Sequence, residues 1–532
     1  MKKRLLLLFL APIYLFAQEP TSKEFNLEVG DPYAVVDAAE KYYFTYENQM
    51  LAIKIGGDYH FQLFDAATLT EKSTAMISKK KELPKGFVHE EFLQQGDKII
   101  EFYNVWDKPN KKEQIFCKSF SFAELGKVTN EKLLLKAGKL KSQTGGKNKI
   151  NLIQSFDQTI TLMVYEEYSS EKKDALNFQT FGMAAFDKDM NEIWKKEVKM
   201  PYSEAEIEKL GYTVDNKGNA FLLLRQKNDD TKNPLELMKI KGDAEIETIK
   251  IDAGGRFLPK GLKMQEGANG KIYLAGYYGG RMAIEGVYIA ELGDSGIENE
   301  KFNKIPLDVI NQYRKDEAQE KIKEKAATGE PVGINNLKLD QIVVNEDGTL
   351  TLVSEVFFVV TIPGVSSATN RFFYREVVLS KISDTGDVLW IKKLIKDQRR
   401  LESYSGSYGS CNVVAYSKAT KEPRKDLSYK YVKTGSNHYV LFLDNIKNLK
   451  IADNEYPEKH RSGMGGFLTA YQVNDADGAT KKLSLFDLKD MKGVSVYQFS
   501  TLRIMEIGEN SMLMEFYKKK KQDLLLRIEI KD

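Results

Sequence analysis

The chain has 532 residues, with 79 basic and 76 acidic side chains and a formal net charge of +3. So even a balance gives no footing for nucleic acid or an anionic lipid surface as partner, and two cysteines in this length exclude a disulfide framework. Length alone predicts several domains of about 150 residues, unless an internal repeat accounts for it.

The first 17 residues, MKKRLLLLFLAPIYLFA, set Lys2, Lys3 and Arg4 ahead of a 12-residue apolar run from Leu5 to Phe16 and end on the small Ala17. This is the order of a cleavable signal peptide, and the apolar run is shorter than the roughly 20 residues that span a bilayer. The expectation is an exported chain, in the periplasm, at the cell surface or outside the cell, with no transmembrane segment in its mature form. Cys117 and Cys411 lie 294 residues apart. Export permits them to pair, but two separate buried thiols are the expectation.

Eight segments then share one phrase, a short and nearly continuous apolar run, in most cases preceded by a polar turn. In chain order they are Tyr42–Asn48, Gly96–Asn104, Phe156–Glu167, Gly218–Gln226, Asn269–Gly279, Asp347–Glu355, Ser436–Asn445 and Glu509–Tyr517, with centres 51 to 89 residues apart. The runs are rich in β-branched and aromatic residues and bounded by Gly, Asn or Asp, which are strand signals. Continuous apolar character predicts burial on both faces, and Asx-Gly pairs supply the positive φ of a tight reversal. Second strands with a turn at or near an Asp follow, as in Phe181–Val198 and Val377–Leu394. The unit is a four-stranded antiparallel meander. Its repetition predicts an all-β fold, a β-propeller of seven or eight blades; tandem β-sandwiches are the alternative. The expected organisation is a signal peptide at 1–17, an N-terminal linker at 18–29 and one propeller domain at 30–532, with insertions at 303–334 and 395–437. The Lys518–Lys521 run falls between two apolar strands and reads as a solvated hairpin loop.

The phrase SDTGDVLW at Ser383–Trp390 resembles the D-x-x-T-G-x-x-x-W blade motif of the quinoprotein-like propeller superfamily, through Asp384, Thr385, Gly386 and Trp390, and FDKDMNEIW at Phe186–Trp194 is a looser copy. The resemblance implies that the Asp-Thr-Gly part makes a turn and that the Trp docks between blades. It does not imply a quinone.

The repeat is interrupted in four places. Leu307–Pro331 is densely charged, with Pro306 at its entrance, Gly329 and Pro331 at its end and a thin apolar stripe of Val309, Ile310, Tyr313 and Ile322; it predicts one surface helix at about 307–327. Asp397–Lys418, Tyr456–Phe467 and Gly276–Met282 are rich in Gly, Ser, Tyr and Arg, a composition that suits adaptable ligand contacts on a rigid scaffold. They contribute the candidate ligand-binding residues Tyr277, Tyr278, Arg281, Arg400, Tyr404, Tyr408, His460 and Arg461.

Signatures of chemistry are missing from the sequence. The four histidines are scattered and no C-x-x-C occurs, so no metal site is expected. Lys141 and Asn148 spoil the P-loop likeness of Gly138–Lys149, Ser403 spoils a nucleophile elbow at Tyr404–Ser410, and Asn474–Lys482 lacks the ligands of a calcium loop. No cofactor is expected. The sequence therefore points to an exported propeller that binds a protein, peptide or glycan, and not nucleic acid. The alternative is a hydrolase or lyase working through carboxylates at the channel mouth, with Arg400, His460 or Arg281 assisting.

Overall fold

The computed structural model describes residues 25–531 except 143–147, 169–177, 228–233, 253–255, 257–260, 281–282, 294–295, 364–366, 406–426, 452–454, 462–465, 488–502, 509 and 519–520. The signal peptide expected at 1–17 and Cys411 lie outside the described residues.

Eight antiparallel sheets follow one another along the chain. Each is a meander whose strands we letter A to D from the centre outward. Blade 4 is typical, with Ile207–Val214, Ala220–Gln226, Leu235–Ile240 and Glu247–Ile251. The A strands of neighbouring blades approach one another and ring a central channel. A separate apolar cluster fills each of the eight junctions between blades, including that between the last blade and the first. The fold is a closed eight-bladed β-propeller, and closure removes the free edges an open sheet would expose.

The ring is closed by the N-terminus. Phe25–Val29 is the outer strand of blade 8, paired with Gln522–Ile530 from Phe25↔Ile530 to Val29↔Leu526. The linker expected at 18–29 therefore ends earlier: alternating burial of Phe25 and Leu27 makes this segment a strand. The insertion boundaries also shift. Within 395–437, Gln398–Ser405 is a strand and Lys430–Thr434 is strand A of blade 7.

Seven of the eight repeated phrases are B strands. The first is not: Tyr42–Asn48 falls in strand A of blade 1, which is half-buried along its length, and the buried B strand is the next segment, Gln49–Ile55. B strands are buried on both faces because alternate residues enter opposite junctions. Leu222 and Leu224 face blade 3, whereas Phe221 and Leu223 face blade 5. Each A–B reversal carries a left-handed residue. Glycine fills it at Gly96, Gly218, Gly270, Gly348, Gly435 and Gly508, while blades 1 and 3 use Glu47 and Gln158. In blade 4, Asp215 fixes the turn by accepting from Lys217 N at 3.0 Å and Asn219 N at 2.7 Å.

Both tryptophans of the blade motif dock on the next blade. Trp194 donates from Nε1 to Gly218 O at 2.8 Å, and Trp390 to Asp475 O at 3.0 Å. Gly478 lies so close to the Trp390 indole that a Cβ would stand 2.9 Å from Cδ2. Asp475 continues a buried chain through His438 Nε2 at 2.7 Å and, from His438 Nδ1, to Tyr431 Oη at 2.7 Å. Burial holds the His438 imidazole below its ordinary pKa despite the Asp475 carboxylate. Trp390→Phe keeps one aromatic ring but deletes the donor and part of the packed indole, and denaturant titration is expected to show a loss of about 1–3 kcal/mol.

The inserted helix is two helices, Leu307–Asn311 and Asp316–Ala327, broken where Tyr313 turns through φ 64. Val309 and Ile322 pack on the blade 5–6 junction and Tyr313 on the blade 6–7 junction. Among the described residues no helix is long and apolar enough to cross a membrane.

Candidate functional site

A meander of this kind sends its A–B and C–D turns to one face of the ring and its B–C hairpins and D–A crossovers to the other. The described candidate residues fall in the second set. Tyr277 and Tyr278 belong to the B–C hairpin of blade 5, 400–405 to the crossover after blade 6, and 460–461 to the B–C connection of blade 7.

The structure separates them into two groups. Tyr277 and Tyr278 are 4% and 5% exposed and are committed to packing. Tyr277 lies in the blade 5–6 cluster with its hydroxyl against Ser354 Oγ, and Tyr278 lies in the blade 4–5 cluster, edge-on to Phe302 at 5.3 Å. Arg281 and Tyr408 fall outside the described residues, as does the side chain of Tyr404. Arg400, His460 and Arg461 come together. Gln398–Ser405 pairs with strand C of blade 6 beyond the point where strand D ends, and His460–Arg461 pairs in parallel with Gln398–Arg399.

This meeting exists because blade 6 is longer than the others. Leu350–Pro363 and Ser367–Ile382 run on past the ring as a hairpin, and Gln398–Ser405 adds a third strand to it. At its root, Lys396 Nζ donates to Glu355 Oε1 at 2.5 Å, Ser428 Oγ to Glu355 Oε2 at 2.9 Å and Ser428 N to Gln398 Oε1 at 2.7 Å. That network is buried and satisfied.

Asp397, between Lys396 and Gln398, is the exception. It is 1% exposed, and neither carboxylate oxygen has a hydrogen-bond donor among the described residues. Burial raises its pKa; Arg375 and Lys459 pull it back, and Glu376 pushes it further up. The Arg375 guanidinium lies 5.3 and 5.7 Å from the Phe358 and Phe373 ring centres and 6.0 Å from that of Tyr456, which is 40% exposed. The loop carrying Tyr456, Lys459 and His460 is pinned by amide brackets. Asn448 Nδ2 donates to Glu458 O at 2.8 Å, Glu458 N to Asn448 Oδ1 at 2.8 Å, and Asn445 Nδ2 to Lys459 O at 2.8 Å.

A buried carboxylate without a donor normally costs free energy. Here the charges of Arg375 and Lys459 offset part of that cost, and Tyr456 leaves an aromatic face exposed beside them. Sequence reading had located the loops but missed Asp397, Arg375 and Tyr456 as the groups that matter. The available signal was polarity interrupting an apolar strand: Arg375-Glu376 within FFYREVVLS, and Lys396-Asp397-Gln398 directly after strand D. Among the described residues no cluster of His, Cys, Asp or Glu could hold a metal ion.

No family model and no characterised protein matches the sequence. Solved structures that resemble the chain include prolyl oligopeptidase B from Galerina marginata (8% identity, TM-score 0.38, covering 94% of this chain and 55% of that one). They also include the WD40 domain of SCAP from fission yeast (8%, 0.34, 96% of each chain) and the Dos1 propeller (12%, 0.28, 57% and 62%). The chain thus spans about half the length of the peptidase. At these identities the likenesses carry nothing about activity.

Proposed function

We propose that the chain is an exported binding propeller that takes a polar peptide or glycan where blades 6 and 7 meet, on the loop of Tyr456 and Lys459, which would move to admit the ligand to Asp397. One observation carries this reading: a fully buried carboxylate, Asp397, lacks a donor beside a cation held among aromatic rings. The signal-peptide pattern at 1–17 supports export, and N-terminal sequencing of the secreted chain is expected to begin at Gln18.

The test is a photo-crosslinking residue at Tyr456, with a control at Lys217 on the opposite face. Exposed to an envelope extract, position 456 is expected to give a discrete adduct that Lys217 does not give and that Arg375→Ala removes. Equal labelling at both positions would defeat the proposal. Asp397→Asn is expected to fold at least as stably, since it removes a buried charge, while weakening capture at least ~10-fold, about 1.4 kcal/mol.

A second reading, a hydrolase or lyase, is favoured by the raised pKa of Asp397, which suits a general acid. It requires Asp397→Asn to abolish turnover of a captured ligand while sparing its binding. Undiminished turnover in that variant would remove it.

A further inference from the structure

A separate cavity of about 620 Å3 lies on the rim between blades 6 and 7, under the helix Leu307–Asn311. Its size is in the range of small-molecule sites. Four lysines line it, Lys392 and Lys393 from Val388–Leu394 and Lys481 and Lys482 from Thr480–Asp487, against a single carboxylate, Asp308. Lys482 is balanced by Asp444 at 3.2 Å.

Lys393 is not balanced. It is 6% exposed and makes no close ion pair among the described residues; the Glu376 carboxylate favours its charge from farther off, and Arg314 opposes it. Its Nζ donates to Ile310 O at 3.1 Å, a carbonyl that also accepts from Arg314 Nε at 2.9 Å, which brings a further cation close. Burial pulls its ammonium down to about 8. A buried ammonium without a contacting counter-ion is expensive, and the wall that holds it also carries half-buried Lys392 and exposed Lys481.

We propose that this cavity binds a multiply charged oxyanion, with Lys393 supplying the buried cation and Lys392 and Lys481 the more exposed ones. The entering charge would offset the desolvation of Lys393, and the remaining lysines would draw the anion in from solution. Phosphoryl and carboxylate ligands share this chemistry.

Inorganic pyrophosphate and citrate, titrated calorimetrically into the full chain, separate the two. At least one is expected to bind saturably, more weakly by ~10-fold or more in high salt, because charge supplies the attraction; the tighter of the two identifies the class. Lys393→Met is expected to abolish binding while melting no lower than the parent, because it deletes a buried charge without a contacting counter-ion. Lys481→Gln, on an exposed side chain, is expected to weaken binding several-fold. The proposal is overturned if neither anion saturates the chain, or if Lys393→Met binds as the parent does. Its failure would leave the Asp397 site untouched, since the two sites share no residue.

Discussion

A chain beginning at residue 30, lacking Phe25–Val29, is expected to lose its closed ring, whereas one beginning at residue 25 should melt with the full chain. The deleted strand makes five register pairs with Gln522–Ile530 and buries Phe25 and Leu27 in the blade 7–8 junction. Two such side chains stabilise by roughly 3–6 kcal/mol together. The loss reaches further, because Gln522–Ile530 would become an open edge strand able to pair with a second molecule. Thermal melting and gel filtration read both effects, a lower transition and self-association. A truncated chain that stays monomeric and melts as before would mean that another segment supplies the outer strand.

The second large effect belongs to the seam where blade 8 meets blade 1. Its apolar cluster is the smallest of the eight inter-blade clusters among the described residues. Beside it lies an ion network: Lys54 Nζ is 2.6 Å from Glu515 and 3.5 Å from Asp523, with Lys41 3.6 Å from Asp523 and Arg503 3.8 Å from Glu515. Tyr33 donates to Glu515 at 2.7 Å, and Tyr43 donates to the same carboxylate. Glu515→Ala would strip buried Lys54 of its nearest partner, at an expected cost of about 3–5 kcal/mol, while Lys54→Met combined with Glu515→Leu should cost much less than either single change. Equilibrium denaturation of the double-mutant cycle measures the coupling.

The seam also predicts acid sensitivity. Burial pushes the Glu515 pKa up, but Lys54, Lys41 and Arg503 overcome it and hold the carboxyl at about 2. Its folded pKa is therefore below the unfolded value of roughly 4.3. Its contribution is complete above that value and is lost as pH falls from there toward about 2. Asp523 shifts the other way, raised by burial and by the charge of Glu515, so it works against the seam at neutral pH. Stability measured between neutrality and pH 3 should fall less in Glu515→Gln than in the parent; parallel curves would show that the carboxylate is not the acid-sensitive group.

Most of the ring was legible in the sequence, because B strands buried on both faces leave unbroken apolar runs behind left-handed turns. Blade 1 was misread for the same reason. Its reversal uses Glu47 rather than glycine, and its true B strand, Gln49–Ile55, carries Lys54 within the apolar run. That lysine is a member of the seam. The closing strand at 25–29 was hidden because its partner lies some 500 positions away, beyond the reach of any local pattern. The candidate site was half legible. Composition marked the loops, but the meeting of Gln398–Arg399 with His460–Arg461 depends on the overgrown hairpin of blade 6, which only tertiary pairing reveals.

The two faces of the ring stand under different rules. On one, each A–B reversal holds a left-handed residue in a tight turn, and Trp194 and Trp390 reach it from the preceding blade, so a change in length there would unsettle two blades at once. On the other, the connections range from the short Gly56–Asp58 hairpin to the crossover that follows blade 6, with little consequence for closure. The first face behaves as the grammar of the protein and the second as its vocabulary. A change confined to one crossover would alter what the second face presents and leave the circle closed.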